Sequence, residues 1–321
     1  MSRLTVALLS YNRLHYLPSA IESTLGQTFG DFELLVIDNG STDGTIACVE
    51  SYQDPRLRLL VNERNLGAFG SLKRAIELAS GDYLYFMHDD DIMEPDNLRR
   101  KVEFLDLYPS VAFVHSAFAT IDEHDRVMTP CYHSAEPYDT VLPGDLFLRR
   151  TLLTPSNPIC CPTVMIRREA AVSAGGFDPR LPWSADWEYW GRLAALGDVG
   201  YLSDPLYRYR IHGANFSRNF DTLLPAAMQN ALCKRFLMRK LGHRFHDADH
   251  LLETSMLAHA RQAIATAEDV LKDGNHVQAS ALARLSLWMT PQALPILQSA
   301  GLEDLVHEPC SNYPPTLESR P

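Results

Sequence analysis

The sequence has no apolar run of the roughly twenty residues a membrane helix needs. Its first residues, Met1-Ser2-Arg3-Leu4, lead at once into a stretch, Leu4 to Leu9, too short for a signal peptide. The expectation is a soluble, cytoplasmic protein that could still touch a membrane peripherally. The six cysteines show no CxxC spacing, and the only neighbours, Cys160 and Cys161, are too close for an ordinary structural bridge. They read as reduced thiols. Basic residues are in the minority, 29 against 40 acidic, and a net charge of −11 argues against nucleic-acid binding. It suits a substrate whose own negative charge arrives with a metal ion. No convincing internal repeat is present.

What is there is a chain of 321 residues, 46% hydrophobic, enough for one large α/β domain and a smaller appendage. The first 120 residues alternate strand-like and helix-like segments. Strands are expected at Leu4 to Ser10, Glu33 to Asp38, Leu57 to Val61, Tyr83 to Met87 and Val111 to Ala119. Helices are expected at Leu14 to Leu25, Thr45 to Tyr52, Ala68 to Ala79 and Pro95 to Leu107, the last with Pro95 in its first turn. Such βαβ units predict a mostly parallel central sheet flanked by helices. Further on, Gly144 to Leu153, Arg167 to Ala174 and Ala185 to Ala195 read as helices and Pro162 to Ile166 as a strand. From about Asp221 the pattern is purely helical, so the expected divisions are 1–220, a helical region 221–308 and a Pro-rich tail 309–321.

Ligands of parallel α/β sheets collect at the carboxyl ends of the strands. Three such ends carry polar clusters: Ser10-Tyr11-Asn12-Arg13, Asp38-Asn39-Gly40-Ser41-Thr42-Asp43-Gly44 and His88-Asp89-Asp90-Asp91. Adjacent carboxylates repel one another, whereas hard divalent cations seek carboxylate oxygens and bridge to phosphates. A solvated acidic turn before a helix is the competing reading of the triplet alone. Recurrence at successive strand ends favours one shared site.

Taken in order, these clusters, with Asn65-Leu66-Gly67, Gly81-Asp82-Tyr83, Gly175-Gly176-Phe177-Asp178, Ala185-Asp186-Trp187-Glu188 and Tyr209-Arg210-Ile211-His212, resemble the family 2 glycosyltransferases over about residues 3–217. The resemblance implies an A-type glycosyltransferase fold, with a Rossmann-like nucleotide-sugar half at about 1–120 and an acceptor half at about 121–220. It also implies inversion at the anomeric carbon, a UDP, dTDP or GDP sugar as donor, a saccharide or lipid-linked glycan as acceptor, and Mn²⁺ or Mg²⁺. By the same resemblance Ser10, Tyr11, Asn12, Asp38, Asn65 and Asp89 bind the nucleotide. Asp90, with Asp91 and His212, holds the metal; Asp186 is the general base; and Trp183, Trp187 and Glu188 meet the acceptor. Many members carry aspartate where this chain has His88, and glutamate where it has Ala185.

Several residues keep two readings. His88 is a core imidazole, an outer-shell donor or a metal contact. Ser41 and Asp43 can cap the helix from Thr45 while Asp38 faces the ligand. Lys73 approaches a diphosphate or is a solvated helical lysine, and Trp183, in a loop, is expected to be the exposed tryptophan. The basic segment Lys234 to Arg244 is a solvated helix face or a surface for anionic lipid. The alternatives for the whole chain are a non-catalytic nucleotide-sugar binding protein and a sugar nucleotidyltransferase. The latter would be expected to carry a Gly-rich phosphate loop after the first strand, and Ser10-Tyr11-Asn12-Arg13 has no glycine.

Overall fold

The computed structural model describes residues 2–132, 137–215 and 223–307. It divides into two compact units, Met1–Thr151 with Asn157–Arg218, and Leu152–Ser156 with Asn219–Pro321.

In the first unit the strands are β1 (Leu4–Ser10), β2 (Phe32–Asp38), β3 (Leu57–Val61), β4 (Tyr83–His88), β5 (Ile92–Met93), β6 (Val111–Ile121), β7 (Val127–Tyr132), β8 (Thr140–Leu142), β9 (Met165–Arg167) and β10 (Asp198–Arg210). They form one sheet in the order β3-β2-β1-β4-β9-β6-β10-β5, with β7 on β6 and β8 on β10. The ladders β3-β2-β1-β4 and β6-β10 are parallel, whereas β9, β5, β7 and β8 pair antiparallel with their neighbours. The helices between them are α1 (Leu17–Leu25), α2 (Thr45–Glu50), α3 (Gly67–Leu78), α4 (Asn97–Leu107), α5 (Gly144–Leu153), α6 (Arg168–Ala174) and α7 (Ala185–Ala194).

Burial explains the parallel core. Leu4, Val6, Ala7 and Leu8 of β1 and Leu84 to Met87 of β4 are fully buried, as central strands covered on both faces must be. Parallel registry then fixes the site: Ser10 lies opposite Asp38, and Leu9 opposite His88, so three polar strand ends reach one edge of the sheet together.

Two boundaries differ from the sequence pattern. Pro95 precedes α4, its carbonyl accepting from Thr28 N at 2.9 Å. Pro162 to Ile166 is not one strand but a 3-10 turn, Cys161–Thr163, followed by β9. The pattern also fails to delimit β10, whose apolar run is broken at Ser203-Asp204-Pro205; the ladder to β6 shifts register at Pro205.

The second unit contains α8 (Leu223–Leu241), α9 (Ala248–Lys272), α10 (His276–Met289) and α11 (Ala293–Ser299). Ala260, Ala263, Ile264 and Ala267 pack with Leu282, Ala283, Leu285 and Leu297, small residues on α9 letting α10 approach closely. The basic segment is only partly a surface. Lys234 is buried and donates to Thr154 O, and Arg235 stacks 4.5 Å over the Trp288 ring, leaving Arg239, Lys240, His243 and Arg244 exposed. No helix among the described residues is long and apolar enough to cross a membrane. The tail 309–321 lies outside the described residues.

Candidate active site

The loops after β1 and β2 are sewn together by short polar side chains. Asn12, at φ 51°, accepts from Thr42 N at 2.8 Å through Oδ1 and donates its own N–H to Ser41 Oγ at 2.9 Å. Asp43 accepts from Leu14 N at 3.0 Å and Thr45 N at 3.1 Å. Asp38 is fully buried, and its carboxylate accepts from Gly40 N, Ser41 N and Ser41 Oγ. It therefore organises the Asp38–Gly44 loop, in which Gly40 and Gly44 supply left-handed turns at φ 82° and 96°. Asn39, which the sequence reading passed over, clamps the next loop by accepting from Asn62 Nδ2 at 2.9 Å and Leu66 N at 3.1 Å. Asn65 is exposed and accepts from Gly67 N at 2.7 Å. Lys73 is solvated and faces Glu77 at 3.7 Å.

At the end of β4 the acidic triplet is drawn inward. Asp89 accepts from Tyr11 N at 3.2 Å. Burial, reinforced by the neighbouring Asp90 charge, pushes its pKa up to about 7 against the opposing influence of Ser10, Arg13 and that N–H. Ser10 Oγ is itself buried, beside the Asp89 carboxyl. Asp91 is fully buried, accepting from Arg210 N at 2.7 Å through Oδ1 and from the Tyr207 hydroxyl at 3.0 Å through Oδ2. Burial raises its pKa. Arg210, 2% exposed, donates Nε to Asp90 O at 2.6 Å and Nη1 to Asp122 O at 3.0 Å, fixing the triplet's backbone against the end of β10.

His212 follows β10 and sends Nε2 to Asp90 Oδ2 at 2.9 Å, while its Nδ1 accepts from Ala214 N at 3.2 Å. Arg13 donates to Ala214 O, and Asn215 spans Arg210 O and His212 N, so the segment Ile211 to Asn215 is held against the triplet.

His88, Asp90 and Asp91 each offer one ligand atom, all within 4.8 Å of one another. Two carboxylate oxygens and an imidazole nitrogen at this spacing fit a divalent cation. The grouping sets His88 beside the expected Asp90 and Asp91, while His212 Nε2 meets Asp90 Oδ2 at 2.9 Å. The signal was in the sequence, since His88 directly precedes the triplet at the end of β4. Burial opposes protonation of His88, but Asp91 and the Cys161 thiol outweigh it, and its pKa lies well above the usual imidazole value.

Asp186 opens α7. Its carboxylate accepts from Asn157 Nδ2 at 2.8 Å and Trp187 N at 2.8 Å, and burial, partly offset by those donors and by His88, pushes its pKa up to about 6. His88 and Asp186 thus lie within electrostatic range of each other. The expected acceptor contacts divide. Trp183 is partly exposed, whereas Trp187, 1% exposed, and Glu188, fully buried, face the core. Glu188 is bound to Arg192 Nε at 2.9 Å, and Arg192 Nη2 holds Gly176 O at 2.8 Å. Helical periodicity turns positions 187 and 188 inward, so neither offers surface to an acceptor.

The family model for glycosyl transferase family 2 matches residues 5–176, more than half of the chain. The chain belongs to that family. The putative teichuronic acid biosynthesis glycosyltransferase TuaG of Bacillus subtilis is 29% identical to this glycosyltransferase over 214 residues, 65% of this chain and 79% of its own. Among solved structures, S. aureus TarS 1-349 in complex with UDP-GlcNAc superposes with a TM-score of 0.60 at 19% identity, over 95% of this chain and 88% of that one. The mannosyltransferase PcManGT from Pyrobaculum calidifontis, in complex with GDP-Man and Mn2+, gives 0.55 at 17% identity, over 95% and 78%. These likenesses establish the A-type glycosyltransferase fold.

Proposed function

We propose that this glycosyltransferase moves a sugar from a nucleoside-diphosphate donor to a hydroxyl of a saccharide or lipid-linked glycan, with inversion and with Asp186 as general base. The observation that carries the reading is the Asp186 carboxylate, raised to about 6 by burial, oriented by Asn157 and within electrostatic range of His88, which directly precedes the triplet. A base poised just below neutral pH is ionised in use yet basic enough to take a hydroxyl proton.

The donor side follows from the strand ends. Ser10, with its buried hydroxyl beside Asp89, the Tyr11 and Asn12 loop, Asp38 and Asn65 line the nucleoside position, and Asp89 reaches the ribose or diphosphate. Asp90 and Asp91 would hold Mn²⁺ or Mg²⁺, with His212 orienting Asp90 through their 2.9 Å contact. Such a cation offsets the negative charge gathering on the leaving diphosphate. Support for a nucleotide-sugar donor comes from UDP-GlcNAc in TarS and GDP-Man with Mn2+ in PcManGT. TuaG, named for teichuronic acid biosynthesis, supports polysaccharide assembly. Trp183, partly exposed, is the proposed aromatic contact for an acceptor sugar.

A thermal-shift panel of UDP, dTDP and GDP sugars with and without Mn²⁺ tests the donor site, because a ligand bound by the native state raises Tm. The expected result is a shift with one base class, enlarged by Mn²⁺. A flat panel sinks the donor reading, and donor binding without transfer or hydrolysis would instead make the protein a nucleotide-sugar binder.

A further inference from the structure

We infer that Lys234 and Ser255 are positioning residues for the base: they clamp the end of α5, and through the short segment that follows they fix where Asn157 presents its amide to Asp186. The inference rests on the reading of Asp186 as base. It begins with a need of α5 itself. The last carbonyls of a helix have no partner within it, and α5 ends at Leu153. Two donors from far along the chain meet the backbone there. Ser255 Oγ, on α9, donates to Leu152 O at 2.5 Å, and Lys234 Nζ, on α8, donates to Thr154 O. Leu152, Lys234 and Ser255 are all fully buried, and Leu152–Ser156 belongs to the same compact unit as α8 and α9. Burying an ammonium group is costly, so Lys234 is a placed donor and not part of the solvated basic face.

The segment beyond the clamp is short and stiff. Pro155 and Pro158 bracket Ser156-Asn157. Each proline fixes its own φ, and each keeps the residue before it, Thr154 or Asn157, out of the helical region. Few soft torsions therefore separate Thr154 O from Asn157. The Asn157 side chain is held at both ends, Oδ1 accepting from Ile159 N at 3.1 Å and Nδ2 donating to Asp186 Oδ2 at 2.8 Å. A shift of the backbone there carries the amide away from the carboxylate, because the side chain is not free to follow by changing rotamer. The titratable groups that act on Lys234 are Cys233 and, on α9, His259; those that act on Asp186 are His88 and the Cys160 and Cys161 thiols. Burial pushes Lys234 down to about 7, so its amine is charged over most of the range in which Asp186 titrates.

The test reads the Asp186 carboxyl itself. In the full chain labelled with ¹³C-aspartate, NMR follows its titration, with Asp186→Asn assigning the signal. Lys234→Met and Ser255→Ala should each raise the Asp186 pKa by about half a unit or more, in the direction of Asn157→Ala. Neither should raise it further when combined with Asn157→Ala, because both act through that one amide. Tm should stay within about 3 °C of wild type, and kcat should fall about two- to fivefold at pH 6 with little change at pH 8. If Lys234→Met fails to fold, Ser255→Ala reads the same clamp. An Asp186 pKa that moves in Asn157→Ala but in neither clamp variant, or shifts that add fully in the double variants, overturns the inference and leaves the base reading standing. Full kcat in Asp186→Asn overturns the base reading instead.

Discussion

Replacing Asn157 by alanine tests the base assignment without touching the base. Asn157 Nδ2 donates to Asp186 Oδ2 at 2.8 Å, a hydrogen bond that favours the ionised carboxylate. A hydrogen bond to a charged group is worth about 1.5–3 kcal/mol, and one pKa unit corresponds to about 1.4 kcal/mol. Allowing for water to replace part of the lost donor, Asn157→Ala should raise the Asp186 pKa by about one unit, from about 6 toward about 7. The base works only when ionised, so activity is lost as pH falls through its pKa. At pH 6 the ionised fraction drops from about one half to about one tenth, a loss of about fivefold in kcat; at pH 8 it changes by only about 10%. Nucleoside diphosphate release, followed across pH 5.5–8.5 at saturating donor, reads the shift directly. An equal loss at pH 6 and pH 8 would refute the reasoning, because it would show Asn157 acting on geometry rather than on the proton affinity of Asp186.

The remaining expectations concern the base, the metal-side carboxylate and the frame. Asp186→Asn should lower kcat by about 10²–10⁴-fold. It should also stabilise the fold at pH 8, because a carboxyl whose folded pKa is raised is costly only where it ionises; the gain, at most about 1–3 kcal/mol after solvent screening, should vanish below about pH 4, as denaturant melts at both pH values will show. Asp90→Asn should abolish Mn²⁺ binding measured by calorimetry and reduce transfer by at least about 100-fold, with Tm nearly unchanged; undiminished binding would remove Asp90 as ligand. Gly81→Ala should lower stability by more than about 2 kcal/mol, since a Cβ there would stand 2.7 Å from Leu4 N and 2.8 Å from Arg3 C, and a chemical melt matching wild type would contradict that packing.

The legible part of this protein is the part where one strand decides its own fate. The apolar runs of β1, β2 and β4 are continuous because both sheet faces are covered, and the polar residues that follow each run mark where cover ends. Asp186, by contrast, is placed only when α7 packs, although the helical pattern from Ala185 already separates Trp183 on the loop, partly exposed, from Trp187 in the core. β10 is hidden for a related reason: Pro205 breaks its pattern, yet the bulged ladder to β6 carries the strand through and delivers Arg210 and His212 to the triplet. The difference between His88 and His212 is subtler still, because both are histidines beside carboxylates and both belong to family-like motifs. His212 is held at Nδ1 by the Ala214 N–H while its Nε2 meets Asp90 Oδ2, whereas His88 Nδ1 faces Asp91 Oδ2 at 3.5 Å. A residue's chemistry at such a site depends on which of its atoms the fold has already engaged, and that information lies in the contacts across the sheet, not in the motif.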